Sequence, residues 1–161
     1  MITSEQGIEQ IKTFEGFRSF PYQDGVGKWT VGYGHLMVPG DGCVVGSPIT
    51  MGQATNFLRH DVYIAEHAVN STGVSLTQNE FDALVSFVYN LGVGNFQHST
   101  LLQRLKEGDY DGAANEFPKW DHAPSSTVNE GILKRRLAEQ AGNRAFLTDA
   151  HNGLGQKRRD G

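Results

Sequence analysis

The hydrophobic pattern of this chain changes period at Gly16 and changes back near Thr50, and that double switch confines it to an α+β architecture with one small sheet. Before Gly16, Ile8, Ile11 and Phe14 recur on one face, which predicts a short amphipathic helix over about 4–15, with Thr3 and Gln6 as its capping pattern. From Phe17 to Gly34 the aromatic and β-branched residues Phe17, Phe20, Tyr22, Trp29, Val31 and Tyr33 interleave with Asp24 and glycines. That is the composition of a small twisted hairpin, and its glycines point to close backbone approach. Leu36 to Pro48, rich in Gly and Pro, reads as loop or a third short strand.

Everything after this is helical. Thr50-x-x-Gln53 opens a helix over about 50–70 with Phe57, Leu58, Val62, Ala65 and Val69 on its inner side. Thr77-x-x-Glu80 opens another, and Phe81, Leu84, Val85, Val88 and Leu91 follow with so little polar interruption that 78–91 is expected to be a central buried helix. Gly92, Gly94 and Gly108 divide the next stretch into short helices near 100–106 and 110–117, and 130–148 forms the last long one. With 161 residues there is room for one catalytic domain. Its expected parts are a β lobe at about 15–48, a connecting helix at about 50–70 and a helical lobe at 77–148, with a frayed tail at 151–161. A ligand is expected in the cleft between the lobes.

Charge and composition exclude several functions. The net charge is −4, although residues 130–161 are net +3. A nucleic-acid partner is not expected of an acidic chain, while Lys134, Arg135, Arg136 and Arg144 could face an anionic polymer. No apolar run approaches the roughly 18 residues of a membrane span, and residues 1–16 are too polar for a signal peptide. Cys43 is the only cysteine, so it is expected to be a small loop hydrophobe. His60 and His67 stand seven apart on a helix, too far for one metal, and no cluster has zinc or calcium ligand spacing. No metal or cofactor is expected. Gly32-x-Gly34 lacks the rest of a dinucleotide fingerprint.

The chemistry is expected between Phe14 and His35. Glu15 closes the first helix beside Phe14, Phe17 and Phe20, a partly desolvated setting that disfavours a bare carboxylate and suits a proton donor. Asp24, among Gly25, Gly27 and Lys28, lies in a turn open to water. Two carboxylates in unlike surroundings are the equipment of glycoside hydrolysis, and the Thr30 hydroxyl could fix an attacking water beside Asp24.

Glu15, eight residues, Asp24, five residues, Thr30, then Gly32-Tyr33-Gly34-His35 resembles the signature of phage T4-type lysozymes, glycoside hydrolase family 24. The resemblance continues through Phe81 to Phe96, Ser99 to Leu102, Gly112 to Trp120 and Gly131 to Glu139. It implies a lysozyme-like fold and cleavage of the β-1,4 bond between N-acetylmuramic acid and N-acetylglucosamine in peptidoglycan. Glu15 would be the acid, Asp24 the second carboxylate and Thr30 the water-positioning hydroxyl of an inverting endolysin. Leu36, Tyr89, Ser99 and Asn115 fall where family members line the sugar cleft. His35 would be a structural ion-pair partner, of Asp82 by this reading. Asp121 to Asn129 departs from the Gly-rich stretch many relatives carry there. The resemblance further implies a monomer that gathers in the host cytoplasm and reaches the wall after a holin-type membrane protein opens the way. The alternatives are a lytic transglycosylase, which would not need Asp24 and Thr30, a wall-binding module, and an interbacterial effector with the same chemistry.

Overall fold

The computed structural model describes residues 1–120 and 135–141. The elements are α1 (Glu5–Glu15), β1 (Arg18–Gln23), β2 (Trp29–Gly32), β3 (His35–Leu36), α2 (Met51–Asn70), α3 (Gln78–Leu91), α4 (Val93–Gln97), α5 (Thr100–Lys106) and α6 (Tyr110–Glu116). A 3₁₀ turn, Phe117–Trp120, and a helical stretch at 135–141, called α7, complete them. The segment Asp121 to Asn129, both ends of the expected 130–148 helix, Lys134 and Arg144 lie outside the described residues. No described helix is long and apolar enough to cross a membrane.

The chain forms two compact units. One is Glu5–Ile64, and the other comprises Met1–Ser4 with the described residues from Ala65 onward. In the first, β1, β2 and β3 make an antiparallel sheet in sequence order. Its register pairs Tyr22 with Thr30 and Thr30 with Leu36. The third strand is only His35–Leu36, and the rest of the Leu36–Pro48 stretch is loop. Val31 is fully buried, as are Ile8 and Ile11 of α1. Gly32 has φ +68°, and a Cβ there would stand 2.9 Å from the Ala54 Cβ of α2, so only glycine lets hairpin and helix approach this closely.

Two of the three expected caps form. Thr50 Oγ1 accepts from Gln53 N at 3.1 Å while Gln53 Oε1 accepts from Thr50 N at 2.8 Å, and Thr77 and Glu80 make the same reciprocal box at α3. Thr3 does not cap α1. The helix begins two residues later, at Glu5, and both the Thr3 hydroxyl and amide donate instead to Glu66 Oε1 at 2.6 and 2.7 Å.

The core of the second unit sits on α3, buried from Glu80 to Val88. The Phe87 ring meets Phe96, Phe117 and Trp120 edge-on at centroid separations of 6.5, 5.4 and 5.7 Å, an arrangement favoured by the ring quadrupoles. The expectation that Arg135 and Arg136 face an anionic polymer is overturned here, because they are 4% and 0% exposed. Arg135 Nε donates at 3.2 Å to both Ser86 Oγ and Glu139 Oε1, and its Nη2 donates to the Ser86 carbonyl at 2.9 Å. Arg136 donates to Glu139 Oε2, to Asn90 Oδ1 and to the Trp120 carbonyl, and its guanidinium lies 5.1 Å from the Phe87 ring centroid. A buried charge must find partners. With Glu139 three and four positions on, the two arginines find theirs inside.

Candidate active site

Glu15 is the last residue of α1. The chain turns out of the helix at Gly16, whose φ of +71° and N–H donated to the Lys12 carbonyl at 2.9 Å make it a left-handed helix stop. Glu15 is half-buried, as are Phe14 and Phe17, and Phe17 packs on the Tyr33 ring at 5.5 Å. Phe20 does not join them, being 54% exposed.

Asp24 heads the β1–β2 turn and organises it. Its N–H donates to the Lys28 carbonyl at 2.8 Å, and its carbonyl accepts from Gly27 N at 3.0 Å. Its side-chain Oδ1 accepts from Val26 N at 3.0 Å and Lys28 N at 2.8 Å. Two amides on one oxygen fix the plane of the carboxylate, as in an Asx turn. Among the described residues, Oδ2 accepts no hydrogen bond. The group is half-buried, while Gly25 through Trp29 are exposed.

Thr30 lies two residues beyond that turn on β2, and its side chain is buried. Its hydroxyl donates to the Lys28 carbonyl at 3.2 Å, which leaves the oxygen lone pairs as acceptors. The register sets Tyr22, Thr30 and Leu36 in a row across one face, and Asp24 follows directly after β1, where the turn begins. The hairpin thus offers a fixed carboxylate at its turn and a hydroxyl acceptor on β2, with the exposed Leu36 paired to Thr30. Each can accept a proton of a water molecule.

His35 occupies the other face, paired with Val31. Its ring stacks on Phe57 of α2 with centroids 4.1 Å apart and planes 9° from parallel. Nδ1 lies 2.7 Å from Asp61 Oδ2, and Nε2 lies 3.2 Å from Asp41 Oδ2. The expected partner, Asp82, is corrected by this geometry, because its carboxylate accepts from Ser4 and Gln78. Asp61 was legible in principle, as a carboxylate between Leu58 and Val62 on the inner stripe of α2. Burial alone would push the Asp41 carboxyl up, but amide donors from Val38 and Cys43 and the His35 ring outweigh it and hold it below its ordinary range. Burial, with the Asp41 charge added, pushes the Cys43 thiol up.

The other expected sugar contacts lie in the second unit. Tyr89 is half-buried on α3 and Asn115 is exposed on α6, where Gln140 Nε2 donates to Asn115 Oδ1 at 3.5 Å. Ser99 is the N-cap of α5. Its buried hydroxyl accepts from Leu102 N at 3.1 Å and donates to the Phe96 carbonyl at 2.7 Å, so both its hydrogen-bonding directions serve the helix start.

Residues 12–139 match the family model for phage lysozyme. An endolysin of Acyrthosiphon pisum secondary endosymbiont phage 1 is 43% identical over 145 residues, covering 88% of this chain and 97% of that one. A variant of P22 lysozyme, from the phage of that name, superposes with a TM-score of 0.80 at 35% identity over 88% of this chain and 97% of its own. The muramidase domain of SpmX from Asticaccaulis excentricus does so with a TM-score of 0.79 at 35% identity, over 87% and 95%.

Proposed function

The chain belongs to the phage lysozyme family, and from that premise we infer that Glu15, Asp24 and Thr30 are its catalytic set. It is an endolysin-type muramidase, a glycoside hydrolase that cleaves bacterial peptidoglycan. Within the family we assign it to the T4-type lysozymes of glycoside hydrolase family 24, a reading supported by the spacing of Glu15, Asp24 and Thr30.

The reaction is direct displacement at the β-1,4 bond between N-acetylmuramic acid and N-acetylglucosamine. Glu15 gives its carboxyl proton to the glycosidic oxygen as the bond to the anomeric carbon breaks. A water on the opposite face attacks that carbon, donating one hydrogen to Asp24 Oδ2 and the other to Thr30 Oγ1. Asp24 takes up the proton the water loses, and the new reducing end has α configuration. The observation that carries this reading is the division of labour at the hairpin. Asp24 Oδ1 and the Thr30 hydroxyl proton are engaged by the turn backbone, which leaves Asp24 Oδ2 and the Thr30 oxygen as the acceptors for a water. Holding the water there in advance lowers the entropic part of the barrier. Direct displacement needs carboxyl groups about 6.5–9.5 Å apart, wide enough for that water.

Leu36 would bear on the sugar beside Thr30, and Tyr89 and Asn115 are further proposed sugar contacts. Ser99 would act through its place at the head of α5. The enzyme would work as a monomer without cofactor or nucleic acid. It would gather in the host cytoplasm until a holin-type protein permeabilises the membrane. Digestion of purified peptidoglycan tests the reaction. Mass spectrometry is expected to find hydrated reducing ends and proton NMR an initial α anomer. Anhydro ends would mark a transglycosylase, and an initial β anomer or a sugar ester on Asp24 would contradict direct displacement.

A further inference from the structure

β3 and the loop after it bring together three side chains of different donor chemistry. The ligand atoms of His35, Asp41 and Cys43 lie within 4.8 Å of one another. His35 Nε2 and Asp41 Oδ2 are 3.2 Å apart, close to the roughly 3.3 Å between two ligands of a tetrahedral zinc held at about 2.0–2.1 Å. Asp41 is positioned by its own loop, its Oδ2 accepting from Val38 N at 2.7 Å and its Oδ1 from Cys43 N at 2.8 Å. Gly40 and Gly42, with φ of +89° and +81°, let the loop coil tightly enough to aim both Asp41 and Cys43 at the ring.

A second observation concerns the far side of the imidazole. Asp61 Oδ2 lies 2.7 Å from Nδ1, and Phe57 stacks flat on the ring. Metal-binding histidines almost always give their other ring N–H to a carboxylate, a backbone carbonyl or a water, which fixes ring and tautomer so that the free nitrogen meets the ion. Here that arrangement directs Nε2 at Asp41 and Cys43. We propose that His35 Nε2, Asp41 Oδ2 and Cys43 Sγ form a zinc site, with Asp61 orienting the imidazole and water as fourth ligand. One nitrogen, one oxygen and one sulfur suit Zn²⁺, whereas calcium and magnesium take oxygen ligands. On binding, the Cys43 thiol gives its proton to solvent and its sulfur moves in to about 2.3 Å from the metal. Linear spacing alone predicts no metal here; the loop folding back on β3 creates the set. An ion would tie residues 37–43 to the strand that carries Leu36, stabilising the hairpin by mass action. The proposal does not depend on the catalytic roles of Glu15, Asp24 or Thr30.

The test uses the full chain, reduced and stripped of metal, titrated with Co²⁺ as a spectroscopic probe and then with Zn²⁺. Wild type is expected to bind one cobalt, develop a near-ultraviolet thiolate-to-cobalt band, lose that band to zinc, and melt higher with zinc. Cys43→Ser should lack the band and the melting shift. Asp61→Asn should keep both while binding about 10–100-fold more weakly. No thiolate band in wild type, or an equal zinc-induced melting shift in Cys43→Ser, would overturn the site.

Discussion

Asp24 and Glu139 are both carboxylates, and the two units use them in opposite ways. Asp24 is half-exposed, held by two backbone amides on one oxygen, with its other oxygen unengaged among the described residues. Glu139 is wholly buried, and both its oxygens meet side chains: Ser86 and Arg135 on one, Arg136 on the other. A carboxylate oriented by the backbone of a turn stays available to a substrate. One enclosed by two guanidinium groups can act only on the structure that encloses it. The contrast separates charged groups left open to a ligand from those that hold the helical unit in one packing.

The largest expected effect falls on the enclosed side. Glu139→Gln would remove the carboxylate charge that faces both buried guanidinium groups, so urea denaturation should show a loss of about 3–5 kcal/mol. A loss under about 1 kcal/mol would erase the contrast. On the turn side, Thr30→Ala should cost up to about 10²-fold in lysis rate by leaving the attacking water unplaced, with the melting temperature little changed. Thr30→Ser should recover part of that rate, and turbidity assays on outer-membrane-stripped cells read both. Equal rates for the alanine and serine variants would mean that the hydroxyl holds no water.

The smallest effect sharpens what an exposed capping carboxylate does. Asp109 caps α6 through Gly112 N at 2.9 Å and meets Arg104 at 2.9 Å. That amide, then the Arg104 guanidinium, holds its carboxyl below the ordinary value near 3.8. A depressed folded value means that the charge stabilises the fold above the ordinary range, and that this contribution is lost as pH falls through the lower value. Asp109→Asn keeps a capping oxygen but removes the charge. Its melting deficit should therefore be present at neutral pH and vanish as pH falls through that lowered value; a deficit constant with pH would contradict the assignment.

How much of this was legible in the sequence follows from how far apart the interacting residues are. The caps at Thr50 and Thr77 span three residues each, and the hairpin is set by local alternation, so both could be read directly. Glu15, Asp24 and Thr30 share one helix-hairpin segment, which is why their spacing could be matched to the signature of a known family. α4 went unread because Gly92 and Gly94 mask a five-residue helix. The His35 clamp joins residues 26 apart, and Ser86 reaches Glu139 across 53. Only tertiary folding creates such pairs. Arg135 and Arg136 misled for a related reason, since a charged run reads as a solvated surface unless its counter-charge is recognised three and four positions on.

The most direct measurement of the catalytic claim is peptidoglycan clearing by Glu15→Gln beside wild type, with the melting temperature of each recorded. The substitution keeps the side chain's shape and removes only the proton it can transfer. Clearing should fall by more than about 10²-fold, the scale of a positioned general acid, while melting stays near that of wild type. A folded Glu15→Gln enzyme that clears at close to the wild-type rate would contradict the assignment of Glu15 as the acid.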